Sequence, residues 1–146
     1  MQRTLAIKIC LFILLRSTLC LALGLGAQSD EYGPEVRSFL DLMRHEEDEL
    51  EFQIKHKEIS RREYLRSKTQ IMIHRQTVLD LVKTSGKDYV PELHVVAAAE
   101  LEQLIEDGTK AIKGIKRGDL IRDKWRYHGS VHKGETFYIF ERVTIR

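Results

Sequence analysis

The chain has 146 residues, and its 24 Lys and Arg against 22 Asp and Glu give a formal net charge of +2. Hydrophobic residues make up 42% and charged residues 32% of the sequence, as in an ordinary folded domain. This composition is too apolar for a wholly disordered chain and too polar for a membrane protein with several spans. It therefore predicts about one domain.

Residues 1–27 differ in composition from everything that follows. Their few charges are all basic, and most of the other residues are apolar. A basic start, an apolar stretch and small residues at Gly26 and Ala27 are typical of a secretory signal peptide. We therefore expect a secreted or periplasmic protein, cleaved after Gly26 or Ala27.

Two alternatives stay open for this segment: an uncleaved signal that anchors the protein in a membrane, and an organelle transit peptide. Arg16 interrupts the apolar stretch, and an Arg in mid-span costs roughly 2.5 to 3.5 kcal/mol on insertion scales. Both cysteines, Cys10 and Cys20, fall within the segment. A processed chain would therefore have no disulfide and no thiolate chemistry, and would meet a membrane only through an uncleaved signal.

The remaining chain alternates in charge over four blocks. Residues 30–51 hold nine acidic and two basic residues (−7), and residues 55–87 hold nine basic and three acidic (+6). Residues 88–107 hold six acidic residues and no basic one (−6), and residues 110–146 hold ten basic and four acidic (+6). We expect blocks of opposite sign to lie against each other and guide pairing, since exposed ion pairs each contribute only about 0 to 1 kcal/mol.

An amphipathic helix is predicted over about residues 34–57. Apolar side chains recur there at helical spacing, at Val36, Leu40, Met43, Leu50 and Ile54. Pro34 suits the first turn of a helix. Glu47 occupies a position on the apolar stripe, which predicts contact with a basic neighbour.

A second helix is predicted to begin at Ser60, because Ser60 and Glu63 have the spacing of a capping box. Its apolar stripe runs to about residue 84, and Gly86 predicts its end. We expect residues 28–87 to form an antiparallel helical hairpin with the acidic arm along the basic arm. The alternative is one long coiled-coil helix through residue 60, which would need an intermolecular partner.

Residues 88–146 predict a small α+β unit, so the fold class of the whole chain is α+β. Residues 93–96 fit either a short strand or the first turn of a helix. Apolar spacing from residue 97 to residue 115 then predicts a helix, with Gly108 and Gly114 as possible stops.

The chain ends in a predicted β-hairpin. Strand-forming residues at 120–128 and 135–145 flank a glycine-containing loop at 129–134. We expect the apolar faces of this hairpin to pack on the acidic helix.

The predicted hairpin also carries basic and aromatic residues that together could bind an anion. These candidates are Arg122, Lys124, Arg126, His128, Tyr138, Phe140 and Arg142. Cations neutralise acidic groups and aromatic rings stack on bases or sugars. An export signal argues against nucleic acid and favours an acidic envelope polymer, a lipid headgroup or a protein surface. The alternative role for these residues is an outer face that pairs with an acidic block of the same chain.

We predict no catalytic, cofactor-binding or metal site. His128 and His132 are four residues apart but flank glycines in the predicted loop, and Ser130 between them lacks the context of a catalytic serine. We therefore expect a non-enzymatic exported protein that acts by protein–protein interaction or self-association through its amphipathic helices. The alternative is an envelope module that binds an anionic polymer or surface.

The signal-peptide interpretation predicts the mature N-terminus. Mass spectrometry of the exported protein should find a chain that begins at Ala27 or Gln28, because signal peptidase cleaves after small residues. A product that retains residues 1–27 would instead support the membrane-anchored alternative.

Overall fold

A computed structural model describes residues 31–143. The predicted signal at 1–27 and the last residues of the predicted second hairpin strand lie outside the described residues. The fold is α+β, with two long helices, a short helix and a four-stranded antiparallel sheet. Residues from Pro34 onward belong to one compact unit, and the boundary at residue 87 stays a prediction.

The elements follow each other in a simple order along the chain. The helices are α1 (Pro34–Lys55), α2 (Arg61–Ser85) and α3 (Leu101–Leu104), with a 3₁₀ turn at Gly108–Lys110. The strands are β1 (Leu93–Ala97), β2 (Leu120–Ile121), β3 (Trp125–Lys133) and β4 (Glu135–Arg142). In space the strand order is β1-β4-β3-β2, with every neighbouring pair antiparallel.

The helical region contains two helices, so the alternative of one continuous helix is wrong. The predicted capping box is confirmed: the Glu63 N–H donates to Ser60 Oγ at 3.2 Å, and the Ser60 N–H donates to Glu63 Oε2 at 2.8 Å. These hydrogen bonds lower the pKa of Glu63. Gly86, with φ of 65°, ends α2 as predicted.

The start of α1 is capped by a residue that follows α2. The carboxylate of Asp88 accepts the N–H groups of Glu35 and Val36, both at 3.0 Å, and Glu35 Oε1 accepts the Val90 N–H at 3.1 Å. These bonds satisfy open donors of the first helical turn and place negative charge at the helix N-terminus. These hydrogen bonds hold the start of α1 beside the segment that follows α2.

Helices α1 and α2 pack through an apolar cluster and two ion pairs. The buried members of the cluster are Phe39, Met43, Ile71 and Val78, with Leu93 of β1. Glu47 lies 3.3 Å from Arg75, and Glu51 lies 3.3 Å from Lys68. The predicted contact of Glu47 with a basic residue is confirmed, and the acidic helix does face the basic one.

One face of the sheet packs on α2. Ile73 of α2 is buried with Ala97, Phe137 and Ile139 of the sheet. The expectation that the sheet would pack on the acidic helix is therefore wrong. Ile71 and Ile73 lie about 200° apart around the helix axis at 3.6 residues per turn, so α2 offers one apolar side to α1 and another to the sheet.

The other face of the sheet is covered by the segment between β1 and β2. Its core joins Leu101, Ile105 and Ile112 to Ile121, Trp125, Tyr127 and Phe140. The helix predicted from residue 97 is confirmed only over Leu101–Leu104, because Ala97 pairs with Phe137 in the sheet. Asp107 (φ 67°) and Gly108 (φ 49°) break helical geometry at one of the two predicted stops, and Leu101, Ile105 and Ile112 are buried.

The predicted loop at 129–134 is wrong, since β3 runs to Lys133, directly opposite Glu135, and only Gly134 (φ 76°) turns the chain. A β-bulge between Tyr127 and Gly129 shifts the register of β3 against β4. The extra residue reverses the direction of the side chains that follow it. Trp125 and Tyr127 thus point to one face of the sheet and Val131 to the other.

A network around Arg66 ties the start of α2 to the sheet. Arg66 donates to both carboxylate oxygens of Glu135, at 2.8 and 3.0 Å, and to Glu100 at 3.4 Å. Glu100 also accepts from Gln70 Nε2 at 2.8 Å and from the Ala97 N–H at 3.2 Å. The hydrogen bonds from Arg66 lower the pKa of Glu135. A bidentate guanidinium–carboxylate pair of this kind fixes the relative orientation of the two side chains as well as the distance between them.

Truncation of Ile73 tests the packing of α2 on the sheet. Ile73→Ala should lower the free energy of unfolding by about 2 to 4 kcal/mol, because it leaves a cavity between α2 and β4. Urea denaturation measures the loss. Leu42→Ala, at a position 53% exposed on α1, should change stability by less than about 0.5 kcal/mol. Equal effects of the two variants would contradict the packing.

Candidate functional site

The seven candidate anion-binding residues do not share one surface. Arg126 lies opposite Glu141 and Arg142 lies opposite Trp125 across the β3–β4 pair. Because neighbouring residues of a strand point to opposite faces, the basic side chains are divided between the two sides of the sheet.

The strand cations are paired with carboxylates of the same chain. Arg126 lies 3.1 Å from Glu141, and His128 Nε2 lies 2.9 Å from the same carboxylate. Arg142 lies 3.2 Å from Glu92, and this hydrogen bond lowers the pKa of Glu92.

The two cations of the β2–β3 turn also have partners. Arg122 pairs with Glu106 and, at 3.8 Å, with Asp107. Its hydrogen bond to Glu106 lowers the pKa of that carboxyl. Lys124 Nζ lies 5.1 Å from the centroid of the Trp125 ring, a cation–π contact.

The aromatic candidates belong to the core. Phe140 is fully buried, and Tyr138 packs against the same cluster while partly exposed. The ring of Phe140 therefore offers no surface on which a base or sugar could stack. The arrangement matches the in-chain pairing that the sequence left open better than it matches a ligand site.

A different surface stands out on α2. Leu65 and Met72 are 50% and 40% exposed, although both are large and apolar. They are seven residues apart, and the partly buried Leu79 continues the same row. We call these three residues the α2 stripe. None of its residues belongs to the apolar clusters that α2 forms with α1 and with the sheet.

The sequence contained a signal for the α2 stripe that periodicity alone could not resolve. Ile71 and Val78 form a second row of seven-residue spacing on the same helix, and that row is buried against α1. In the sequence, two apolar rows on one helix cannot be distinguished from a single wide stripe. Only the packing separates the buried row from the exposed one.

Histidines and acidic residues do not converge on a metal site in the part of the chain that the structure describes: no group of three or more potential ligands occurs within residues 31–143. His128 lies beside Glu141, while His132 Nδ1 lies 3.2 Å from Thr136 Oγ1. None of the helices described is long and apolar enough to cross a membrane.

Comparisons with known proteins returned nothing: no family model matches the chain, and neither do any curated protein or solved structure.

His74 of α2 lies in the contact between α1 and α2. Burial, and secondarily the charge of His94, lower its pKa. Its ring meets the ring of Phe39 edge-on, with the centroids 5.2 Å apart. Protonation of His74 would place a charge in the contact between α1 and α2.

This burial predicts a loss of stability in mild acid. The pKa of His74 is lower in the folded than in the unfolded chain, so the unfolded chain binds the proton first as the pH falls through about 6.5. The urea midpoint should therefore drop between pH 7.5 and 5.5, and His74→Phe should reduce that drop. His132→Ala, at an exposed position, is the control and should keep the wild-type drop. An unchanged drop in His74→Phe would contradict the assignment.

Proposed function

We propose that the protein is an exported, non-enzymatic interaction module whose two long helices form an antiparallel hairpin. It associates with a second copy or with a helix of another protein through the α2 stripe. The observation that carries the proposal is the exposed row of Leu65 and Met72 on a helix whose other sides are already packed.

The contacts between α1 and α2 support the antiparallel arrangement. Val36 contacts Asp88, Glu47 contacts Arg75, and Glu51 contacts Lys68. Partner numbers fall as α1 numbers rise, as expected for two helices that run in opposite directions.

The spacing of the α2 stripe favours a helical partner. Apolar residues that recur every seven positions present a seam along one side of a helix, and another helix buries such a seam along its whole length. Full burial of a Leu or Met contributes roughly 1.5 to 3 kcal/mol, and these side chains are already about half buried. Association costs at least about 4 kcal/mol in lost freedom, so a second row on the partner is needed to offset it.

The anion-binding alternative has less support, because the cations that it requires are paired within the chain. Arg126, Arg142 and Arg122 each have a carboxylate partner, and Phe140 is buried. Export itself is expected from residues 1–27 and stays a prediction.

A charge placed on the α2 stripe tests the proposal. Light scattering after size exclusion should give a molar mass for the wild type that rises with concentration towards that of a dimer. Leu65→Glu should remain monomeric because a carboxylate cannot be buried in an apolar seam. Leu42→Glu makes the same change at an exposed Leu of α1 and should behave as the wild type. A wild-type protein that stays strictly monomeric up to millimolar concentration, or variants that behave alike, would contradict self-association.

A further inference from the structure

Strand β3 leaves one side of the sheet open. It pairs with β4 along its length, but β2 covers only Trp125 and Arg126 on the other side. The loop before β2 extends this cover by one residue, through hydrogen bonds of Tyr127 with Gly118 and Asp119 at 2.7 and 2.9 Å. Beyond Tyr127, no strand among the described residues lies against this edge.

The direction of the backbone groups on this edge follows from the register. Thr136 O accepts the Ala98 N–H at 2.9 Å and so faces β1. His132 is the partner of Thr136, and backbone groups alternate in direction along an antiparallel strand. The N–H and C=O groups of His132 and Ser130 therefore point away from β4, into the open edge. The open part of β3, about six residues, is roughly 20 Å long.

A groove runs beside this edge. It has a volume of about 570 Å³, with α2 as one wall and β3 as the other. Apolar side chains line it from both sides, namely Met72, Ile73, Leu81, Val131 and Ile139. A chain laid along the β3 edge would therefore place every second side chain against an apolar wall.

The groove also carries unpaired positive charge. Arg117 and Lys133 line it, and neither has a carboxylate partner among residues 31–143. The carboxylate in the groove, Asp80, accepts the side-chain amide of Gln76 at 3.0 Å. The groove thus has an apolar wall and free cations, and its complement is a segment with both apolar and acidic side chains.

We propose that an extended segment of a partner protein adds to the open edge of β3 as a fifth strand, with apolar side chains at alternate positions and, on the same face of the strand, an acidic side chain near each end. Its backbone pairs with Ser130 and His132, its apolar side chains fill the groove, and its acidic side chains meet Arg117 and Lys133. Such strand addition takes affinity from backbone hydrogen bonds and specificity from the side-chain pockets.

A second copy of this chain is a poorer occupant of the edge. The open part of β3, residues 128–133, contains no acidic residue, so a second β3 would not supply carboxylates to Arg117 and Lys133. The bulge after Tyr127 and the charge of Lys133 are also features that keep an exposed edge from pairing with copies of itself. The proposal does not depend on the α2 stripe, although Met72 borders both surfaces.

Two labelled heptapeptides test the proposal with the whole protein: Glu-Thr-Val-Thr-Val-Thr-Glu, called the Glu/Val peptide, and Lys-Thr-Val-Thr-Val-Thr-Lys, called the Lys/Val peptide. In each, the charged side chains lie at the two ends of the face that carries Val. Fluorescence anisotropy should show binding of the Glu/Val peptide at least about tenfold tighter than that of the Lys/Val peptide. Hydrogen exchange followed by NMR should show that the bound peptide slows exchange at the Ser130 and His132 amides. The Glu/Val peptide with alternate backbone nitrogens methylated should not bind, because it cannot form the ladder.

Charge reversal in the protein supplies the matched test. Arg117→Glu with Lys133→Glu should weaken the Glu/Val peptide at least tenfold and favour the Lys/Val peptide, with the fold checked by Trp125 fluorescence. Leu65→Glu should leave peptide binding unchanged, which separates this surface from self-association. The proposal is overturned if the Glu/Val peptide does not bind at millimolar concentration, if its methylated form binds equally, or if the charge-reversed protein keeps the wild-type preference.

Discussion

The rest of the structure depends on the burial of α2 on two sides. Ile71 faces α1 and Ile73 faces the sheet, and both are buried although only one residue separates them. A helix that is apolar in two directions can join two layers that have little contact with each other. The Arg66 network ties the start of α2 to β4, and Asp88 ties the start of α1 to the segment after α2. One side of α2 remains exposed, and the groove of β3 runs along another.

Part of the alternating charge pattern is resolved by pairing within the chain. The acidic α1 faces the basic α2 through Glu47 and Arg75, and Arg122 of the basic C-terminal block pairs with Glu106 of the acidic block before it. Exposed pairs of this kind contribute little stability. Arg117 and Lys133 have no such partner among residues 31–143, and both line the groove beside β3.

How much could be predicted from the sequence depended on the range of the interactions. The caps at Ser60 and Gly86 involve neighbours in the chain and were predicted correctly. The position of Ala97 in strand β1 was not predicted, because it depends on pairing with Phe137, forty residues away. The bulge after Tyr127 is equally non-local, since it is defined only against β4. For Ala97, apolar spacing identified a buried position but not the strand that buries it. Phe140, opposite Tyr127, is buried although the sequence placed it among the candidate ligand-binding residues.

The candidate site, too, depends on interactions between residues that are far apart in the chain. The basic and aromatic residues around β3 were visible in the sequence. The carboxylates that pair with the basic ones, however, lie between 13 and 50 residues away along the chain. The residues of the α2 stripe were visible in the sequence only as part of one wide apolar stripe on this helix. Which row of a helix faces solvent is decided by its neighbours, so an exposed apolar row becomes evident only from the packing.

The central claim is that α2 joins the helices and the sheet into one cooperative unit, and unfolding followed by two probes tests it most directly. Trp125, the single Trp of the chain, lies in the sheet core, while far-UV circular dichroism reports mainly on the 22-residue α1 and the 25-residue α2. The fluorescence and circular dichroism signals should both change at the same urea concentration, and the free energy of unfolding should fall with urea at the same slope for both. Two separate transitions would contradict it, since they would mean that the helices and the sheet fold independently.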